Sequence, residues 1–116
     1  MSITKFNKVT RKFTAEINEN ATFATLKELY NEDTTDVYEI KSFFKNTHSK
    51  FGEHYVINTG DFLVDIPKHM NNTFNEMYDD DEIIKEINEG KCGFTIYKYS
   101  KNHREYYSIT FVDYIK

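Results

Sequence analysis

Two stretches of this chain interleave aromatic rings with cations. The first is Lys41-Ser-Phe43-Phe44-Lys45, followed in a polar turn by Lys50-Phe51. The second is Tyr97-Lys98-Tyr99-Ser-Lys101, followed by Arg104-Glu-Tyr106-Tyr107. Rings next to cations suit a single-stranded nucleic-acid surface, where cations hold phosphates and each exposed ring stacks on a base for roughly 1–3 kcal/mol. Strand periodicity with Phe44 inward turns Phe43 outward between Lys41 and Lys45. The alternative is that Phe43 packs under the helical insert and the lysines only keep the strand soluble. In the second stretch Tyr97 and Tyr99 share a strand face opposite Phe94 and Ile96, and at least one of these tyrosines is expected to be core.

Other chemistries find little support. His48, His54, His69 and His103 fall in separate elements without HExxH or Cys/His spacing. Gly52, Gly60, Gly90 and Gly93 form no phosphate loop, and no serine sits in a nucleophile elbow. Cys92 stands alone, so neither an intrachain disulfide nor a zinc site follows. Asp79-Asp-Asp-Glu82 lacks the ligand alternation and central Gly of a calcium loop. It reads instead as the acidic start of a helix, where negative charge meets the positive dipole end. No catalytic residue, metal or cofactor is assigned, and the chain is not expected to be an enzyme.

The elements that must position these residues follow from periodicity. Lys8 to Ile17 reads as a first strand. Thr25-Leu-Lys-Glu28 has the form of a capping box opening a short helical turn. Val37 to Lys45 alternates as a second strand, with Tyr38, Ile40 and Phe44 on one face and Lys41, Phe43 and Lys45 on the other. Tyr55 and Ile57 open the next strand, and a tight turn at Asn58-Thr-Gly60-Asp leads into a short strand with Phe62, Val64 and Ile66; the OB-fold order requires that residues 53–58 and 61–66 count as one bent third strand. Pro67 opens a helical insert in which Met70, Phe74, Met77 and Tyr78 recur at helical spacing. Ile83, Ile84 and Ile87 stripe a second helical segment, which Gly90 ends. Phe94–Ser100 and Tyr106–Tyr114 close the order as two strands. The fold class is therefore mainly β with a helical insert (α+β). A helix between the third and fourth principal strands is the order of an OB-fold, a five-stranded Greek-key barrel. Another α+β sheet satisfies the same string.

At 116 residues the chain has the size of one domain, residues 1–116, and its ten Phe and nine Tyr supply core volume. No repeat or linker marks a boundary. The N-terminus has no apolar run like a signal sequence, and no stretch is long enough to span a bilayer, so a cytoplasmic protein without membrane partners is expected. The net charge of −4 argues against nucleic acid, but the charge is segregated. Residues 40–52 and 91–105 are each +3, whereas residues 53–90 are −8, which allows a basic face on an acidic body.

Thr25-Leu-Lys-Glu-Leu29, Phe44-Lys-Asn-Thr-His-Ser-Lys-Phe-Gly52, Val64-Asp-Ile-Pro67-Lys-His69-Met and Asp81 through Tyr99 resemble small proteins of phages and mobile elements of low-GC Gram-positive bacteria. Tyr106-Tyr-Ser-Ile-Thr-Phe-Val-Asp113 completes a likeness covering about residues 22–113. The group includes OB-fold single-stranded DNA-binding proteins typified by those of lactococcal phages. The resemblance implies coating of single strands in replication or recombination in a bacterial host, with no cofactor and with phage or host replication proteins as further partners. Self-association is left open. The chain departs from better-known bacterial single-strand binders in having no Trp and in ending Asp113-Tyr-Ile-Lys116 rather than in a long acidic tail. The expected site is Lys41, Phe43, Lys45, Lys50, Tyr97, Lys98, Tyr99, Lys101, Arg104 and Tyr106. The competing reading is an acidic phage-encoded protein that inhibits a host nuclease or defence complex through residues 79–89.

Overall fold

Thr25 sets the first helix as its sequence predicts. In the computed structural model, which describes residues 12–47, 50 and 52–115, its hydroxyl accepts from the Glu28 amide and the Glu28 carboxylate accepts from the Thr25 amide. This box starts α1 (Leu26–Leu29), directly after strand β1 (Thr22–Thr25). The remaining elements are β2 (Tyr38–Glu39), β3 (Ser42–Asn46), β4 (His54–Asn58), β5 (Phe62–Asp65), a 3-10 turn (Lys68–Met70), α2 (Asn71–Tyr78), α3 (Asp81–Asn88), β6 (Cys92–Lys101) and β7 (Arg104–Asp113). Asp80 caps α3, its carboxylate accepting from the amides of Glu82 and Ile83 at 3.0 and 3.2 Å. The acidic run therefore starts a helix.

The strands form two sheets, β1-β5-β4-β3 and β2-β6-β7. All pairs are antiparallel except β1 with β5. The protein is thus mainly β with short helices. Among the described residues neither sheet closes on itself, and the two sheets pack around a shared core. That core holds Ile40, Phe43, Ile57, Val64, Phe74, Ile87, Phe94 and Ile109.

Two expectations are corrected. Of the first strand, residues 8–11 lie outside the described residues, and residues 12–17 form no strand. Side chains hold part of their backbone instead: the Asn88 amide accepts from Thr14 N at 3.0 Å and donates to Lys12 O at 3.0 Å, and Asn58 donates to Glu16 O at 3.4 Å. Nor is the second strand continuous. Ile40 N donates to Cys92 O of β6, while Lys41 N donates to Asn58 O of β4, both at 2.9 Å. The chain passes from one sheet to the other within a single residue. Because the two sheets share the core between them, the crossing resets which parity faces inward. Ile40 is inward where the chain is bonded to β6, and Phe43, three residues on, is inward in β3 of the other sheet.

Candidate functional site

Phe43 lies in the core with 3% of its surface exposed, which overturns its outward placement. It makes edge contacts with Phe13 at 4.9 Å, Phe74 at 5.0 Å and Tyr55 at 5.6 Å between ring centroids. Phe74 belongs to α2, so Phe43 does pack under the helical insert. Such pairs add about 0.5–1.5 kcal/mol each beyond area burial, and they leave no ring face for a base. The neighbouring lysines are engaged locally. Lys41 has its ammonium 3.8 Å from the Glu39 carboxylate, and that of Lys45 lies 5.6 Å from the Tyr55 ring centroid. Lys50 is exposed.

A large groove, about 1050 Å³, opens beside this strand between Lys12, Phe13, Phe43, Lys45, Tyr55 and Tyr78. Its rings are mostly spent on one another. Lys12 donates to Tyr78 O at 2.6 Å and covers the Tyr78 ring at 4.2 Å. Tyr55 donates its hydroxyl to the Asn75 side chain, and burial, aided by Asp79, pushes its phenol up from the ordinary value.

The β6–β7 hairpin is different. Asn102 and His103 adopt φ of 53° and 64°, as a two-residue type I′ turn requires, and ten residues pair on each side from Lys101–Arg104 to Cys92–Asp113. Tyr99 is directly opposite Tyr106, and Tyr97 is two residues along on the same face. The rings form a row, Tyr97 to Tyr99 at 5.9 Å and Tyr99 to Tyr106 at 5.6 Å, the latter pair stacked at 26°. Tyr97 and Tyr106 remain 44% and 39% exposed. Lys101 and Arg104 are cross-strand partners at the tip, on the same face by parity, and both are exposed. Neither makes an ion pair with another described residue.

Lys98 points to the opposite face. Its ammonium lies 2.6 Å from the Glu32 carboxylate and 3.8 Å from that of Glu105, and 5.8 Å from the Tyr30 ring centroid. The hydrogen bond to Glu32 holds the lysine above its usual pKa, and the same contact lowers the glutamate's. Lys98 is thus a brace between the hairpin and the acidic loop at residues 31–36 rather than part of the tyrosine row. On that inner face Tyr107 meets Tyr30 at 5.4 Å, and Tyr38 stacks on Phe94 at 5.5 Å.

The ten residues expected to form one site are therefore divided. Tyr97, Tyr99, Lys101, Arg104 and Tyr106 come together, while Lys41, Phe43 and Lys45 lie on the other sheet. Sequence reasoning missed Lys27 and Lys68, which line a second groove with Tyr106. Each is a minority cation in an acidic segment, and nothing in the local pattern links it to the hairpin.

Other reactive groups are quiet. Burial, then Glu86 and Asp113, pushes the Cys92 thiol up, which disfavours a thiolate. Among the described residues no three His, Cys, Asp or Glu side chains gather as metal ligands, and no helix is long and apolar enough to cross a membrane. No protein-family model, curated protein or solved structure matches this chain.

Proposed function

We propose that this protein binds single-stranded DNA without sequence preference, through the exposed tyrosine face of the β6–β7 hairpin. The observation that carries the reading is the row Tyr97–Tyr99–Tyr106 ending in Lys101 and Arg104. Tyr97 and Tyr106 keep accessible π surface for bases, and the two tip cations have no competing described carboxylate. Stacking does not discriminate strongly between bases, so sequence tolerance follows. The resemblance to phage single-strand binders agrees with this chemistry. It carries with it an OB-fold kinship, a place in phage or mobile-element replication and recombination, and action in the bacterial cytoplasm without catalysis or cofactor.

Fluorescence anisotropy with labelled oligo-dT across a salt series tests the reading. Binding should weaken as salt rises, because phosphate contacts release counterions, with a log–log slope of about 0.7 per contact. Absence of binding at low salt and micromolar protein rejects it. Equal affinity for duplex DNA would also count against a stacking surface. The second reading, an acidic protein that inhibits a host nuclease or defence complex, draws on the exposed Asp81, Glu82 and Glu86 of α3. It is favoured if oligo-dT does not bind.

A further inference from the structure

Off the outer edge of β7, at Glu105–Tyr107, lies a groove of about 400 Å³ whose far wall is built from the start of α1 and the end of β5. Tyr106 lines this groove and is also the last ring of the tyrosine row, so the two surfaces are continuous. The groove's acids have partners, whereas its lysines do not. Asp65 is matched by His54, whose Nε2 is 2.9 Å from the carboxylate and whose Nδ1 is 3.1 Å from Gly52 O. Glu105 shares the Lys98 ammonium with Glu32, at 3.8 Å against 2.6 Å. Lys27 and Lys68 are exposed and form no ion pair with any described residue. Two ammonium groups with no ion-pair partner among the described residues therefore line a slot with a tyrosine at its mouth.

We propose that the single strand bound at the hairpin continues past Tyr106 into this groove, where Lys27 and Lys68 hold its phosphates. The inference rests on the single-strand reading above and extends its site to a second part of the fold. Its occupant follows from charge and continuity. A polyanion with stackable bases satisfies both the unmatched lysines and the ring they adjoin. The bound strand therefore spans both sheets, entering at Lys101 and Arg104 and leaving between α1 and the end of β5.

The test compares wild type with K27Q/K68Q, using labelled oligo-dT of about 5 and about 15 nucleotides, which bracket site sizes for such surfaces. Loss of two phosphate contacts should lower the log–log salt slope for the long oligonucleotide by about 1.4 units. It should leave the slope for the short one nearly unchanged, since that fits on the hairpin alone. K27R/K68R should retain the wild-type slope. Both lysines are exposed, so unfolding midpoints should match wild type; if the double variant does not fold, each single variant is expected to lose about 0.7 units. An unchanged long-oligonucleotide slope in K27Q/K68Q overturns the groove while leaving the hairpin reading in place. No binding by wild type overturns the hairpin reading, and the groove with it. Oligo-U bound as tightly as oligo-dT by the same residues would reject a DNA-restricted path.

Discussion

Tyr99 and Tyr106 face each other across the β6–β7 ladder with ring centroids 5.6 Å apart and planes inclined by 26°. A stacked cross-strand pair of this kind restricts the freedom of both side chains before a ligand arrives. Less side-chain freedom is then lost when a base is added to the row. Tyr97 extends the row by one ring, and the type I′ turn holds Lys101 and Arg104 at its end.

Replacing Tyr106 by Ala should weaken oligo-dT binding by about 1–3 kcal/mol, or roughly 5- to 150-fold. Tyr99→Ala should do the same, because it removes both a stacking face and the support for Tyr106. Thermal midpoints should change little for Tyr106, which is well exposed. Anisotropy titrations check the first expectation and calorimetry the second. Unchanged affinity in both variants would remove the row from the site.

Phe43→Ala should act in the opposite way. The ring sits among Phe13, Tyr55 and Phe74, so truncation leaves a cavity and should cost about 3–5 kcal/mol of stability. The corresponding fall in melting temperature is about 10 °C or more. Oligo-dT affinity below that temperature should stay at the wild-type value. A stable variant with lost affinity would return Phe43 to the binding surface.

The contrast between these residues shows what local pattern can carry. Capping at Thr25 and Glu28, the turn at Gly60 and the helix end at Gly90 were legible because each depends on a few adjacent residues. The shared face of Tyr97 and Tyr99 was legible because β6 stays in one sheet for ten residues. Phe43 was misread because strand parity holds only within one sheet, and the hydrogen bonds that change sheet at Ile40 and Lys41 come from distant partners, Cys92 and Asn58. The parallel pairing of β1 with β5 was hidden for the same reason, since it depends on the register of Thr22 with Phe62. Lys27 and Lys68 needed the tertiary fold, because only the groove beside Tyr106 brings them into one place.

Stability should fall with rising pH in the alkaline range, from about pH 9 where the Cys92 thiol titrates in the unfolded chain and more steeply above about pH 10. Burial raises the phenol pKa of Tyr38, with Asp36 adding to it, and burial also raises that of Tyr55. Below the unfolded phenol pKa both states keep their phenol protons and nothing is lost from these groups. Between the unfolded and folded values the unfolded chain has released protons that the native state retains, so unfolding becomes more favourable as pH rises. Lys98, also raised by its hydrogen bond to Glu32, acts in the same direction. Urea unfolding measured between pH 8 and about pH 11 checks this, and Tyr38→Phe should flatten part of the decline. A stability that rises through this range would contradict the burial of these phenols.

Three cations on one hairpin should behave in two different ways. Lys101 and Arg104 are exposed at the tip, on the face that carries the tyrosines, so Lys101→Ala and Arg104→Ala should each lower the oligo-dT salt slope by about 0.7 units. Lys98 belongs to the other face and is held 2.6 Å from Glu32, so Lys98→Ala should leave the slope unchanged. Its effect should appear instead as looser attachment of the acidic loop, read as faster amide exchange around residues 30–36. A slope that falls for Lys98→Ala but not for the two tip variants would put the strand on the inner face of the hairpin. In that arrangement it would compete with Glu32 for the same ammonium group, and adding Glu32→Gln would then tighten binding.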